Sequence, residues 1–317
     1  MKENENIIGK YKNGNYTTTI YSDGSRDRVS EGDAFIPSFP ESIELKITEK
    51  YDGEFPWFSS VKSENPRDAK LMETELNPLP FIKSIRTLTE VVIDGGYLDH
   101  PEIINLLFFF KRRNIPVRII IGQDYFYGHD HLKYHRLLGW QNRGLMSRLG
   151  VILTDSEDTD FLNHLQEFND PTVIVTVGVF SGDDLDNLEG KGFNLMIKGY
   201  ASTQNNKEYT EKNAKNLEYN REWLIKSIDS EFLPAFKSVS FDNLAISQLG
   251  LSDERFTKKD EDHNNFYFAV DGDFSLYIDM VNSEFSSSAY SKEKYKIEEH
   301  MKTADRMFRE IRKRRKI

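Results

Sequence analysis

The chain has 317 residues, a mass of 37.0 kDa, 38% hydrophobic and 13% aromatic residues, and a net charge of −10. That length can bury a sizeable core as one large α/β body or two ordinary domains, and so much Phe and Tyr excludes a disordered chain. The acidic balance argues against nucleic-acid binding over the whole surface, and no apolar run approaches the roughly 18 residues of a membrane span. The polar opening from Met1 to Asn6 lacks the apolar stretch of a secretory signal. With no cysteine anywhere, disulfides are excluded and a reducing, cytoplasmic setting is expected.

In chain order, the first elements read as a β-hairpin. Tyr16, Thr18 and Ile20 alternate with Thr17, Thr19 and Tyr21, and Asp23-Gly24 supplies a turn. A linker with Pro37 and Pro40 follows. From Ser42 the pattern becomes strand then helix, repeatedly, the signature of a parallel sheet with crossover helices. Strands are expected at 43–48, 89–93, 117–121, 150–153, 172–177, 194–198 and 237–240. The run Val173 to Val177 suits burial on both faces. Helices are expected at 101–113, 132–148, 158–168, 183–189 and 207–228, with Pro101 as a first-turn proline and Asp158-Thr159 as capping residues. Beyond Phe241 the rhythm changes: 266–270 and 274–278 read as a hairpin around Asp271-Gly272-Asp273, and 291–317 reads as a helix. This pattern points to a partial or complete α/β barrel.

The segment Ser42 to Thr48 runs into Tyr51-Asp52-Gly53-Glu54-Phe55-Pro56-Trp57-Phe58. Farther on come Val91-Val92-Ile93-Asp94-Gly95-Gly96-Tyr97 and Leu98-Asp99-His100-Pro101-Glu102. Together these resemble the start of a radical SAM enzyme: a first barrel strand, a cluster loop with cysteines spaced C-x3-C-x2-C, and a glycine-rich turn that meets S-adenosylmethionine. The resemblance places the three cluster positions at Tyr51, Phe55 and Phe58, and the cofactor-contacting positions at Gly95, Gly96 and the strand end at Gly122-Gln123. Ser240 to Ile246 and Asp271 to Asp279 resemble a narrower group of radical SAM proteins from bacteriophage and metagenomic sequences, so that the likeness covers roughly residues 8 to 290. The family's acidic residue after the paired glycines is here Tyr97, and its glycine- and arginine-containing loop past Gly199-Tyr200 is here Ala201 to Asn206. Thiolates hold iron–sulfur clusters, and a phenol or phenyl ring does not replace them. Phe55, Trp57 and Phe58 are expected to fill the space of the cluster, or to offer a stacking platform for a ligand.

Other residues carry two readings each. His129, Asp130, His131 and His135 have the density of a metal site, yet also suit a solvated helix start, and no metal is expected. His100 is expected to cap or pack against the following helix. Asp94 and Asp99 could do acid–base work or simply form turns. The stretch Arg306 to Lys316, seven cations and one carboxylate, could contact nucleic acid or an acidic partner, or be a frayed helix end.

The sequence therefore predicts an α/β fold, a partial (β/α) barrel of the radical SAM type, with an N-terminal β-hairpin (1–41), the barrel (42–241) and a C-terminal extension with a β-hairpin and basic helix (242–317). The expected role is that of a pseudoenzyme that binds a protein partner, with no catalytic residue and no membrane contact. The resemblance implies a phage-encoded interaction, regulatory or virion-associated protein. The alternative is an enzyme that binds S-adenosylmethionine or a nucleotide and runs polar chemistry.

Overall fold

The computed structural model describes residues 7–21, 26–30, 32, 35–50, 65–87, 89–94, 98–126, 131–200, 207–228, 235–251, 274–298 and 302–314. Three antiparallel strands come first: β1 (Ile7–Asn13), β2 (Tyr16–Tyr21) and β3 (Arg26–Ser30), in that spatial order. The expected hairpin is thus a three-stranded meander. Its missed strand was signalled by Gly14-Asn15, a pair suited to a two-residue hairpin loop, and Gly14 has a φ of +63°. A side chain there would put a Cβ 1.7 Å from the Ile36 carbonyl oxygen, so only glycine fits. The Asp23-Gly24 turn lies outside the described residues, but β2 and β3 pair in register on either side of it.

β4 (Ser42–Lys46) opens the main sheet, followed by a small ribbon, β5 (Met72–Thr74) and β6 (Asn77–Pro78), and the one-turn helix α1 (Pro80–Lys83). Strands and helices then alternate: β7 (Glu90–Asp94), α2 (Ile103–Arg112), β8 (Val117–Gly122), α3 (His131–Asn142), β9 (Arg148–Ile152) and α4 (Thr159–Leu165). The same rhythm continues through β10 (Thr172–Thr176), α5 (Gly182–Leu188), β11 (Asn194–Lys198), α6 (Lys207–Ser227), β12 (Val239–Phe241) and α7 (Asn243–Leu249). Last come β13 (Ser275–Asp279), β14 (Glu284–Ser286), β15 (Tyr295–Lys296) and α8 (Ala304–Arg314).

The ten-stranded sheet has the order β12-β11-β10-β9-β8-β7-β4-β13-β14-β15. All seven strands expected from the alternating pattern are present, parallel and in sequence order. Right-handed crossovers that always step the same way put every helix on one face. The core bears this out: Leu106, Phe110, Leu162, Leu185, Leu224, Ala245 and Phe308 of the helices share one cluster with Ile43, Ile93, Ile119, Val151, Val175 and Ile197 of the strands. Alternate residues turn to the other face, where Ile120, Ile152 and Ile174 form a smaller cluster bordered by Val92, Met196 and Tyr200. β12 and β15 end the order, and no pairing joins them among the described residues, so the expected partial barrel is an open, mostly parallel sheet.

Several boundaries differ from expectation for local reasons. The helix expected to run to 148 ends at Asn142, because Gly144 takes a left-handed φ of +64° and Arg148 already belongs to β9. Pro101 precedes α2, whose N-cap is Glu102, whereas Asp158 caps α4 by accepting the Phe161 N–H as expected. In the expected C-terminal hairpin, 266–270 and its turn lie outside the described residues. The second arm is β13, which pairs in parallel with β4 and antiparallel with β14. The terminal helix is shorter than 291–317, with β15 before it.

The meander docks through a buried carboxylate, besides Asn13, which donates to Phe39 O and accepts from Ser38 N. Glu41, 1% exposed, accepts from Tyr16 Oη at 2.7 Å, from Thr18 Oγ1 at 3.2 Å, and from the Arg28 guanidinium, whose Nη2 lies 2.6 Å from Oε2. Arg28 also covers the Phe274 ring at 4.6 Å, and Tyr16 meets Phe35 and Phe274 edge-on. Removing one partner of a buried pair strands the other charge, so Glu41→Ala is expected to cost about 3–5 kcal/mol in urea-unfolding stability. Glu41→Gln, which keeps an acceptor for Tyr16, should cost less.

Candidate functional site

In parallel α/β sheets, ligands meet the C-terminal ends of the strands, where the loops to the helices converge. Of the positions expected to be functional, Gln123 is described, and it falls at that edge. Tyr51, Phe55 and Phe58 follow β4, and Gly95 and Gly96 follow β7. All five lie outside the described residues, but the two strands that lead to them are hydrogen-bonded neighbours. Gln123 follows β8 as the first residue of a 3-10 turn (Gln123–Phe126) and is fully buried.

Gln123 is engaged with the exit of β9. Its Oε1 accepts from Thr154 N at 2.9 Å and Asp155 N at 2.8 Å, and its Nε2 donates to Asp155 O at 2.8 Å. A buried amide needs such partners, and here they tie two neighbouring loops together.

The exit of β4 is tied in the same manner. Ala69 N donates to Ile47 O and Glu49 N to Arg67 O, both at 2.9 Å, with a bridge between Thr48 and Asp68. These contacts form a neck between 47–49 and 67–69, the two flanks of the segment 51–64. Lys46 Nζ lies 3.1 Å from Asp279 Oδ2, which also accepts from Asn282 Nδ2, and Arg67 joins Asn282 to Glu49. Burial pushes the Asp279 carboxyl up, but hydrogen bonds from Asn282 and the Lys46 ammonium outweigh it and hold it below the ordinary carboxylate range. Asp68 is likewise low: burial is overcome by hydrogen bonds from Lys50 and Thr48.

His100 behaves as a structural residue. Its Nε2 donates to Ala69 O at 2.8 Å and its Nδ1 accepts from Glu102 N at 3.1 Å, a pattern that requires the neutral ring. Glu102 in turn accepts from Leu71 N at 2.7 Å. The His-Pro-Glu segment therefore fastens the strand returning from the neck to the start of α2.

A third network joins β11 to α7. Asp242 Oδ1 accepts from Gly199 N and Ala245 N, each at 2.8 Å, and Tyr200 N donates to Gln248 Oε1 at 2.7 Å. A Cβ on Gly199 would lie 2.4 Å from Leu244 Cγ and 2.6 Å from Ala245 N, so the glycine admits the helix start. Burial pushes the Asp242 carboxyl up, and those N–H groups with the Lys198 charge offset only part of the shift. Neither Asp242 nor Gly199 follows from local pattern. Both fall in segments that the family resemblance singled out, Gly199-Tyr200 and Ser240 to Ile246, but without a role for either.

Other expected residues separate. Asp99 pairs with Arg136 at 2.5 Å, and nothing is described of the Asp94 side chain. His129 and Asp130 lie outside the described residues, and the His135 ring packs 5.1 Å from that of Tyr134. Among the described residues no three His, Cys, Asp or Glu side chains come together as a metal site. An iron–sulfur cluster does not fit this chain, which has no thiolate to offer.

No protein-family model matches the chain, and no curated protein matches it. Among solved structures it is similar to SuiB of Streptococcus suis, with 11% identity and a TM-score of 0.50 over 82% of this chain and 64% of SuiB. SuiB bound to S-adenosylmethionine gives 10% identity and 0.49 over 83% of this chain and 62% of that one. SuiB bound to the precursor peptide SuiA gives 11% and 0.48 over 82% and 63%. The chain thus spans less than two thirds of SuiB. At such identity the likeness concerns the fold alone, and it supports a radical SAM-like fold.

The two kinds of carboxyl shift predict opposite pH effects. Asp279 and Asp68 bind protons more weakly folded than unfolded, so their contribution is complete above the unfolded value near ~4 and is lost as pH falls through the folded values. Asp279→Asn should lower stability at pH 7 by about 2 kcal/mol and flatten the loss on acidification, measured by denaturant melts at stepped pH. Asp242 has the reverse sign: its folded pKa is raised, so acidification toward that value relieves a cost. Asp242→Asn should therefore be neutral or stabilising at pH 7, whereas Asp242→Ala should cost about 1 kcal/mol or more through loss of the cap.

Proposed function

We propose that this chain is a radical SAM-like scaffold that has no cluster-dependent chemistry and works by binding a protein partner. The observation that carries the reading is the complete absence of cysteine in a chain with this fold. Reductive cleavage of S-adenosylmethionine requires a cluster iron with an open position and an electron of low potential. Both depend on thiolates. The strand exits lend further support: Gln123, Asp242, Gln248, Lys46 and Asp279 brace neighbouring loops and helix starts. Side chains with that work have geometry suited to rigidity rather than to turnover.

The finer assignment extends the same reading: an interaction or regulatory protein encoded by a bacteriophage, in the host cell interior or in a virion. A second reading, polar chemistry on S-adenosylmethionine or a nucleotide at the mouth, is favoured by the glycine pair Gly95-Gly96 at the exit of β7.

Anaerobic reconstitution with iron and sulfide is expected to leave the protein without the visible absorbance of a four-iron cluster. A stoichiometric cluster spectrum would overturn the proposal. Calorimetric titration separates the second reading: no heat is expected with millimolar S-adenosylmethionine, and saturable one-to-one binding would favour the polar-chemistry enzyme instead.

A further inference from the structure

The N-terminal meander has one packed face and one open face. Tyr11, Asn13, Tyr16 and Thr18 are buried and turn toward Phe39 and Glu41. The residues that alternate with them point the other way: Lys10 lies opposite Thr19, Lys12 opposite Thr17, and Thr17 opposite Val29. Lys10, Lys12 and Val29 are exposed. With Thr17, Thr19 and Asn15 they line a hollow of about 240 Å³ on the outer surface of the sheet.

Four polar side chains of this hollow are idle. Neither the ammonium groups of Lys10 and Lys12 nor the hydroxyls of Thr17 and Thr19 form a hydrogen bond or ion pair among the described residues. The three strands hold four cations, Lys10, Lys12, Arg26 and Arg28, against one acid, Asp27. Asp27 stands across from Thr19, and its carboxylate accepts from Tyr21 Oη. The open face of the meander is thus a cationic patch on a chain whose net charge is −10.

We infer that this open face, centred on Lys10 and Lys12, is a docking surface for an extended acidic segment of a protein, an inference that rests on the proposed role in binding a protein partner. Charge complementarity carries it, and spacing gives the segment its form. Lys10 and Lys12 lie two residues apart on one strand, about 6.5–7 Å, which is the separation of alternate side chains in any extended peptide. Carboxylates at positions i and i+2 of the segment therefore meet both ammonium groups, Thr17 and Thr19 donate to the remaining carboxylate oxygens, and Val29 receives an apolar side chain beside them. A nucleic acid fits less well. Single strands bind through stacked bases, and the one ring that borders the hollow, Tyr16, is packed edge-on against Phe35 and Phe274 on the other side of the sheet.

The test is fluorescence anisotropy of the full chain with a labelled peptide of about ten residues that alternates glutamate with threonine. Saturable binding at low salt is expected, weakening by about threefold or more between roughly 20 and 200 mM NaCl. A peptide of the same composition with its glutamates in one block should bind at least about threefold more weakly, since only every second residue reaches the face. The double variant Lys10→Ala, Lys12→Ala should bind the alternating peptide at least about fivefold more weakly, as loss of two exposed ion pairs implies, while keeping the thermal midpoint of the parent. A control pair on α6, Lys212→Ala with Lys215→Ala, should change affinity less than about twofold. No binding at low salt, equal affinity for the two peptides, an unchanged Lys10/Lys12 variant, or tighter binding of a single-stranded oligonucleotide than of the alternating peptide would each overturn the inference. The comparison of the two peptides on the parent protein decides even if the variant fails to fold. Such a failure would leave the proposed function in place, because iron reconstitution and calorimetry decide that reading.

Discussion

The structure turns on the pairing of β4 along both of its edges. Ser42 to Leu45 pair in parallel with Glu90 to Ile93 of β7, and Ser42 to Lys46 pair in parallel with Ser275 to Asp279 of β13. Ile43 and Leu45 are wholly buried against the helices. Just before the strand, Glu41 receives the N-terminal meander, and at its end Lys46 meets Asp279. One short strand thus joins three separate parts of the chain. A disturbance of its register would move every side chain of β4 to the wrong face, because strand periodicity is two.

Stepwise right-handed crossovers make the sheet asymmetric. The helix side is continuous hydrocarbon, while the other side mixes charge with a small apolar island. There Arg118 pairs with Glu90 at 3.2 Å, and Ile120 and Ile174 close over Gly150, whose absent Cβ would lie 3.1 Å from Ile174 Cδ1. The neck at Thr48 and Asp68 lies at the exit of β4. Its hydrogen bonds are made by Ile47 to Glu49 with Arg67 to Ala69, so the chain is fastened on both sides of the segment 51–64 by its own flanks. Flanks joined in that manner keep β4 in register independently of the sequence between them.

The alternating strands were legible because their signal is local. Runs such as Val173 to Val177 contain the whole evidence for a strand buried on both faces, and that burial is found. Gly144 and the start of β9 were legible in principle, but helix periodicity in 132–148 masked them. The place of β13 was not legible. Its sequence says strand, yet its partner β4 lies 233 residues earlier, and no short-range pattern encodes such a pairing.

The site divides on the same principle. Gln123, named from a family resemblance, sits at the end of β8. The work of each polar side chain there depends on residues far away: Gln123 on Asp155, Asp242 on Gly199, Gln248 on Tyr200. Loops at such an edge bring several backbone N–H groups into partly dry surroundings, and each must find an acceptor. Buried amides and carboxylates supply them whether or not a ligand follows. Polar residues at the mouth of a parallel sheet are therefore evidence of position first, and of chemistry only when an atom is left facing the space where a ligand would lie.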